Sequence, residues 1–223
     1  RVNYARIKKE YEDNKIIIYF KLDSTLNGYY NSITQLNHNV QEISTDENII
    51  FVDPAMGDNG KLYPAFDESY AKKNATLCGV ADVIVPNITE AAFMTDTEYR
   101  ESYDEDYVKD LLKKLADLGA GVSILTSVSL GEGKTGIMGY EVKNNRFFSY
   151  QNDRVDATYH GTGDVFSSVV IGGIARGLGF EKSLQVAADY TRQTILETLK
   201  NPDKPWYGVD FEATIPDLIS KIQ

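Results

Sequence analysis

His160-Gly161-Thr162-Gly163-Asp164, followed by the apolar run Val165 to Ile174, reads as a tight glycine turn opening a helix. Such a turn leaves backbone N–H groups unpaired at the positive end of the helix dipole, a ready anion site. A carboxylate at the mouth of a site that only bound phosphate would repel it. The arrangement makes sense if Asp164 takes a proton from an attacking hydroxyl while the Gly161-Thr162-Gly163 amides hold a phosphoryl group in transfer. Taken alone, the stretch fits an ordinary helix start equally well, with Asp164 as a first-turn partner of the dipole.

Outward from that turn, strand-like and helix-like segments alternate, which is the pattern of an α/β layered fold. Downstream, helices are expected over Thr162 to about Arg176, Phe180 to about Leu199, and Phe211–Ile222. Upstream, Lys134–Val142 and Arg146–Tyr150 read as a hairpin, and Gly121–Thr126, Val83–Val85, Ile49–Val52 and Ile16–Phe20 as strands. Asp104–Leu118 carries Val108, Leu111, Leu112 and Leu115 at i, i+3, i+4 and i+7, the stripe of an amphipathic helix. Pro64–Val80, Asn31–Ser44 and Tyr4–Asp13 are also helix-prone.

In such sheets ligands bind at the carboxyl ends of the strands, and polar motifs occupy those ends here. Asp53 follows Ile49–Val52, Asn87 follows Val83–Val85, and Thr126-Ser127 closes Val122–Leu125. Asp53-Pro54-Ala55-Met56-Gly57-Asp58-Asn59-Gly60-Lys61-Leu62-Tyr63 places two carboxylates in a glycine-containing loop, the oxygen chemistry Mg²⁺ prefers when it bridges phosphates. The same residues also suit a plain turn. In Pro86-Asn87-Ile88-Thr89-Glu90 an amide and a carboxylate stand three residues apart at a helix start. They could order a metal's water, or form a capping box, and the two roles are compatible. Gly131-Glu132-Gly133-Lys134-Thr135 resembles the end of a Walker A loop. However, Val128 replaces its first glycine and strand rather than helix follows.

The whole chain sets bounds on these readings. Its 223 residues are 42% hydrophobic, enough to bury a sizeable core. A net charge of −10 argues against a nucleic-acid or anionic-membrane surface. Cys78 is the single cysteine, which excludes an internal disulfide and a cysteine-rich metal site. No apolar run approaches a membrane span, so a cytoplasmic location is expected.

In this order, four motifs resemble the pyridoxal/pyridoxamine kinases of the ribokinase-like superfamily: Asp53–Tyr63, Pro86–Ala92, Leu125–Ser127 and His160–Phe166. The tail Trp206–Glu212 is similar to the Firmicute-type branch. The resemblance implies a three-layer α/β/α sandwich with a mostly parallel central sheet. It also implies ATP- and Mg²⁺-dependent phosphorylation of the hydroxymethyl group of a B6 vitamer. On it, Asp164 is the general base, and Gly161, Thr162 and Gly163 form the anion hole. Asp53, Asp58, Asn87 and Glu90 make up the metal–phosphate network. Thr126, Ser127 and Asp58 contact ATP phosphates, Val155 and Ala157 lie where the family covers the nucleotide, and Tyr29 faces the substrate ring. It further implies a homodimer and leaves open a monovalent cation such as K⁺.

The family's N-terminal strand and its glycine-rich, Ser-containing loop are not found. The expectation is therefore a single kinase domain over residues 1–223 lacking part of its N-terminal segment. Two alternatives stand beside this reading. One is a hydroxymethylpyrimidine kinase of thiamin synthesis, and the other a non-catalytic vitamer- or nucleotide-binding homologue.

Overall fold

The computed structural model describes residues 18–21, 49–64, 66–203 and 208–222. The helices expected at Tyr4–Asp13 and Asn31–Ser44, and the Tyr29 position, lie outside the described residues. These divide into two compact units, one running to Leu130 with Ile137–Ser149, the other made of Gly131–Gly136 and Tyr150 onward.

The chain forms one main sheet in the strand order β1-β2-β5-β6-β7-β8. These strands are β1 (Ile18–Lys21), β2 (Ile50–Asp53), β5 (Val83–Ile84), β6 (Val122–Val128), β7 (Lys134–Glu141) and β8 (Arg146–Asp153). Strands β1, β2, β5 and β6 pair in parallel, with Lys21 opposite Asp53, Val52 opposite Ile84, and Ile84 opposite Ser123. The Val142 N–H donates to the Gly121 carbonyl, which sets the end of β7 beside the start of β6 and runs it antiparallel. The expected α/β fold with a mostly parallel sheet is therefore present.

In the first unit all four residues of β2 are buried, as are both of β5. This is the near-continuous apolar run that a parallel strand covered on both faces requires. The helices there are α1 (Glu68–Ala75), α2 (Ile88–Met94) and α3 (Glu105–Asp117). On α3 the predicted stripe Val108, Leu111, Leu112 and Leu115 is completely buried, and Asp104 caps its start by accepting from the Tyr107 amide. Each such side chain contributes roughly 1.5–3 kcal/mol through burial.

The helix expected over Pro64–Val80 is shorter than its sequence suggested. It starts only after Asp67, whose carboxylate caps the Tyr70 amide at 2.8 Å, and tightens into a 3₁₀ turn over Thr76–Val80.

The second unit carries α4 (Thr162–Ala175), α5 (Phe180–Lys200) and α6 (Ile215–Ile222). Helices α4 and α5 meet at Gly173, where an added Cβ would lie 2.6 Å from Ser183 Oγ. The terminal helix is also shorter than expected, with a 3₁₀ turn at Glu212–Thr214 before α6. Among the described residues no helix is long and apolar enough to cross a membrane.

Candidate active site

The first unit gathers the polar motifs at the carboxyl edge of its parallel strands. Asp53 ends β2 and is buried at 7% exposure. Beyond β5, Asn87 and Thr126 form a single parallel bridge, and the Thr126 amide donates to the Pro86 carbonyl at 3.0 Å. Ser127 follows with φ of 57°, a left-handed backbone that a non-glycine residue rarely adopts within a strand.

Asn87 and Glu90 form the capping box that their spacing allowed. The Glu90 amide donates to Asn87 Oδ1 at 2.9 Å, and the Asn87 amide to Glu90 Oε2 at 2.8 Å. Glu90 reaches further than a cap. Its Oε1 accepts from the Met56 amide at 2.9 Å and the Gly57 amide at 3.5 Å, while Asn87 Nδ2 donates to the Gly57 carbonyl at 2.8 Å. The loop after β2 is thus fastened to the start of α2.

Burial and the nearby Asp53 charge push the Glu90 carboxyl up to about 8 against the opposing pull of its backbone donors. A carboxyl in that range sits protonated at neutral pH unless a cation joins the two acids.

Gly57–Asp58 and Lys61–Leu62 pair as a short antiparallel ribbon, β3 and β4. Asn59 and Gly60 between them have φ of 52° and 74°, a two-residue turn of the primed kind that favours Asn-Gly. Both Asp58 oxygens accept from Asn59, and the Gly60 amide donates to buried Thr89 Oγ1 at 3.0 Å. The turn chemistry and the presence of a carboxylate at this edge are therefore both real. Thr89 is a further partner that lay inside the Pro86–Glu90 motif without being singled out.

In the second unit α4 begins at Gly161, φ 84°, with no side chain capping its first amides. Thr162 Oγ1 donates to the Tyr159 carbonyl at 3.3 Å, and Asp164 lies in the first turn. A Cβ on Gly163 would meet nothing within 4 Å, and one on Gly161 only Asp164 Oδ2 at 4.0 Å. The space on the Cβ side of both glycines is therefore open, and no side chain caps the turn that carries Asp164. Val155 and Ala157 sit in a tight turn after β8, closed by the Ala157 amide on the Val155 carbonyl at 2.8 Å. The Walker-like Gly133-Lys134 runs straight into β7, so it builds no phosphate loop before a helix.

Comparison with known proteins matches the phosphomethylpyrimidine kinase family model to residues 29–205. The chain belongs to that family. A Dictyostelium discoideum pyridoxal kinase is 29% identical over 189 residues, 76% of this chain and 61% of that one. An Aquifex aeolicus hydroxymethylpyrimidine/phosphomethylpyrimidine kinase is 25% identical over 168 residues, 75% of this chain and 62% of its own. The chain thus spans about three fifths of the length of these curated relatives. Among solved structures, a Bacteroides thetaiotaomicron protein provisionally named phosphomethylpyrimidine kinase, crystallised with pyridoxal, superposes with a TM-score of 0.80. It is 27% identical, and the match covers 96% of this chain and 76% of that one. The ribokinase-like superfamily membership read from the four motifs holds.

Proposed function

We propose that this family member is an ATP-dependent kinase that phosphorylates the hydroxymethyl group of a B6 vitamer. The carrying observation is Asp164 in the first turn of α4, beside uncapped amides that Gly161 opens at φ 84°. In the reaction the substrate hydroxyl oxygen bonds to the γ-phosphorus as the bond to the ADP oxygen breaks. The hydroxyl proton passes to Asp164. The Gly161, Thr162 and Gly163 amides take the charge gathered on the phosphoryl oxygens. No phosphoenzyme is needed.

The other requirement is a grip on the nucleotide, assigned in this reading to Thr126, Ser127 and Asp58; Val155 and Ala157 are assigned to the nucleotide on the family resemblance alone. Among the described residues no three His, Cys, Asp or Glu side chains cluster as a metal cage. Mg²⁺ arriving with ATP takes one or two carboxylates and fills its remaining positions with phosphate and water. Asp53 and Asp58 are the oxygen donors that fit it, and Asn87 and Glu90 complete the network by fixing the loop that carries them. Bound there, Mg²⁺ would neutralise phosphate charge. A homodimer belongs to the same proposal, which leaves a need for a monovalent cation such as K⁺ open.

The B6 side is supported by the pyridoxal kinase relative and by the pyridoxal-bound neighbour. The family model and the Aquifex relative favour a second reading, a hydroxymethylpyrimidine kinase. Initial rates with ATP, Mg²⁺ and K⁺ on pyridoxal, pyridoxamine, pyridoxine and hydroxymethylpyrimidine separate the two. Higher kcat/KM on a B6 vitamer is expected. Preference for the pyrimidine moves the protein to the second reading, and no turnover on any of them leaves the non-catalytic binder.

A further inference from the structure

The connection between α2 and α3 touches the candidate nucleotide edge at two points. Its base is anchored on both helices: the Thr97 amide donates to the Ala92 carbonyl at 2.9 Å, and Lys114 Nζ donates to Thr97 Oγ1 at 3.0 Å. Tyr107 Oη donates to the Glu98 carbonyl at 2.8 Å, and the Arg100 guanidinium lies 4.9 Å from the centre of the same ring. From this fixed base two half-buried tyrosines reach outward. The Tyr99 ring packs against the Asn59–Gly60 turn so closely that a Cβ on Gly60 would lie 2.6 Å from it. Tyr103 Oη accepts the Ser129 amide at 3.1 Å. That amide lies two residues beyond the left-handed Ser127, where the strand has left its regular path.

We infer that the Thr95–Tyr103 segment is a strut, with Tyr99 and Tyr103 as positioning residues that set the Asp58 turn against the Thr126–Ser127 edge. The inference rests on the reading of that edge as the nucleotide and metal end. The reason is geometric. The turn and the strand end both stand on left-handed residues, and each is already tied to the start of α2, the turn at Thr89 and the strand end at Pro86, so a second contact from another direction fixes where each sits. The strut supplies one contact to each from a single anchored piece of chain. A group carried a fraction of an ångström out of place loses much of its value to binding and transfer.

The test uses the full-length protein and its variants Tyr103→Phe, Tyr99→Ala and Tyr99→Phe, with ATP binding followed by calorimetry and KM measured for ATP and vitamer separately. Tyr103→Phe and Tyr99→Ala should weaken ATP binding and raise its KM by roughly 3–10-fold, with the vitamer KM and the melting temperature little changed. Tyr99→Phe, which keeps the ring, should bind ATP like wild type. If Tyr103→Phe folds and binds ATP as wild type does, the strut is overturned, whether or not Tyr99→Ala folds. If wild type itself binds no ATP, the underlying reading of the edge fails, and the strut with it.

Discussion

The Met56 amide donates to Glu90 Oε1 at 2.9 Å, joining residues 34 positions apart in sequence. With the Gly57 and Asn87 amides on the same carboxylate, Glu90 makes the β2 loop and the first turn of α2 one piece. Glu90→Ala would leave buried donors unpaired, at about 1–3 kcal/mol each. A loss of roughly 3 kcal/mol in denaturant unfolding is expected, with faster hydrogen exchange at Met56 and Gly57. Unchanged exchange at those amides would remove this role from Glu90.

The same carboxyl gives a pH dependence. In the folded protein it is pushed up to about 8, above its ordinary range in the unfolded chain, so the folded state holds the extra proton. Its stabilising contribution is complete below the unfolded value and is lost as pH rises through about 8. Without Mg²⁺, unfolding free energy should therefore slope downward across neutral pH and level off above that point, and Glu90→Gln should flatten the slope. A wild-type profile flat from pH 5 to 8 would contradict the burial argument.

Gly60 is fixed by its backbone and by its neighbour, with φ of 74° and the Tyr99 ring against its face. Gly60→Ala should destabilise the protein by about 1–3 kcal/mol. It should also raise the KM for ATP, since the Asp58 turn must shift to admit the methyl group. Calorimetric unfolding together with ATP-dependent kinetics would check both parts.

Gly163 offers the opposite case, because a Cβ there meets no atom within 4 Å. Gly163→Ala should fold with a melting temperature close to wild type. If the phosphoryl group sits over these amides, the methyl group intrudes on it, and phosphoryl transfer should fall by at least roughly tenfold. Full activity in this variant would place the anion elsewhere.

What could be read from sequence was what local chemistry decides. The α3 stripe and the Asn87–Glu90 box depend on spacings of three and four residues, and both formed as spaced. The ends of α1 and α6 were harder. In Thr76–Val80 and Glu212–Thr214 the chain stays helical in direction but tightens to 3₁₀, a difference that apolar spacing does not encode. The Asn59-Gly60 pair carried a readable hairpin signal that the preceding carboxylates, Asp53 and Asp58, obscured. The Glu90–Met56 joint, the Tyr103–Ser129 bond and the Tyr99 contact depend on chain segments brought together only by the sheet. Nothing in the spacing of fifteen tyrosines marks those two out.

The central claim, that Asp164 is the base of a phosphoryl transfer to a vitamer alcohol, is tested most directly by one comparison. Wild type and Asp164→Asn would be assayed for ATP-dependent phosphorylation of pyridoxal, with ATP binding measured on the same samples. The account predicts turnover reduced by about 10²–10⁴-fold with ATP affinity retained. An Asp164→Asn rate equal to wild type would contradict it.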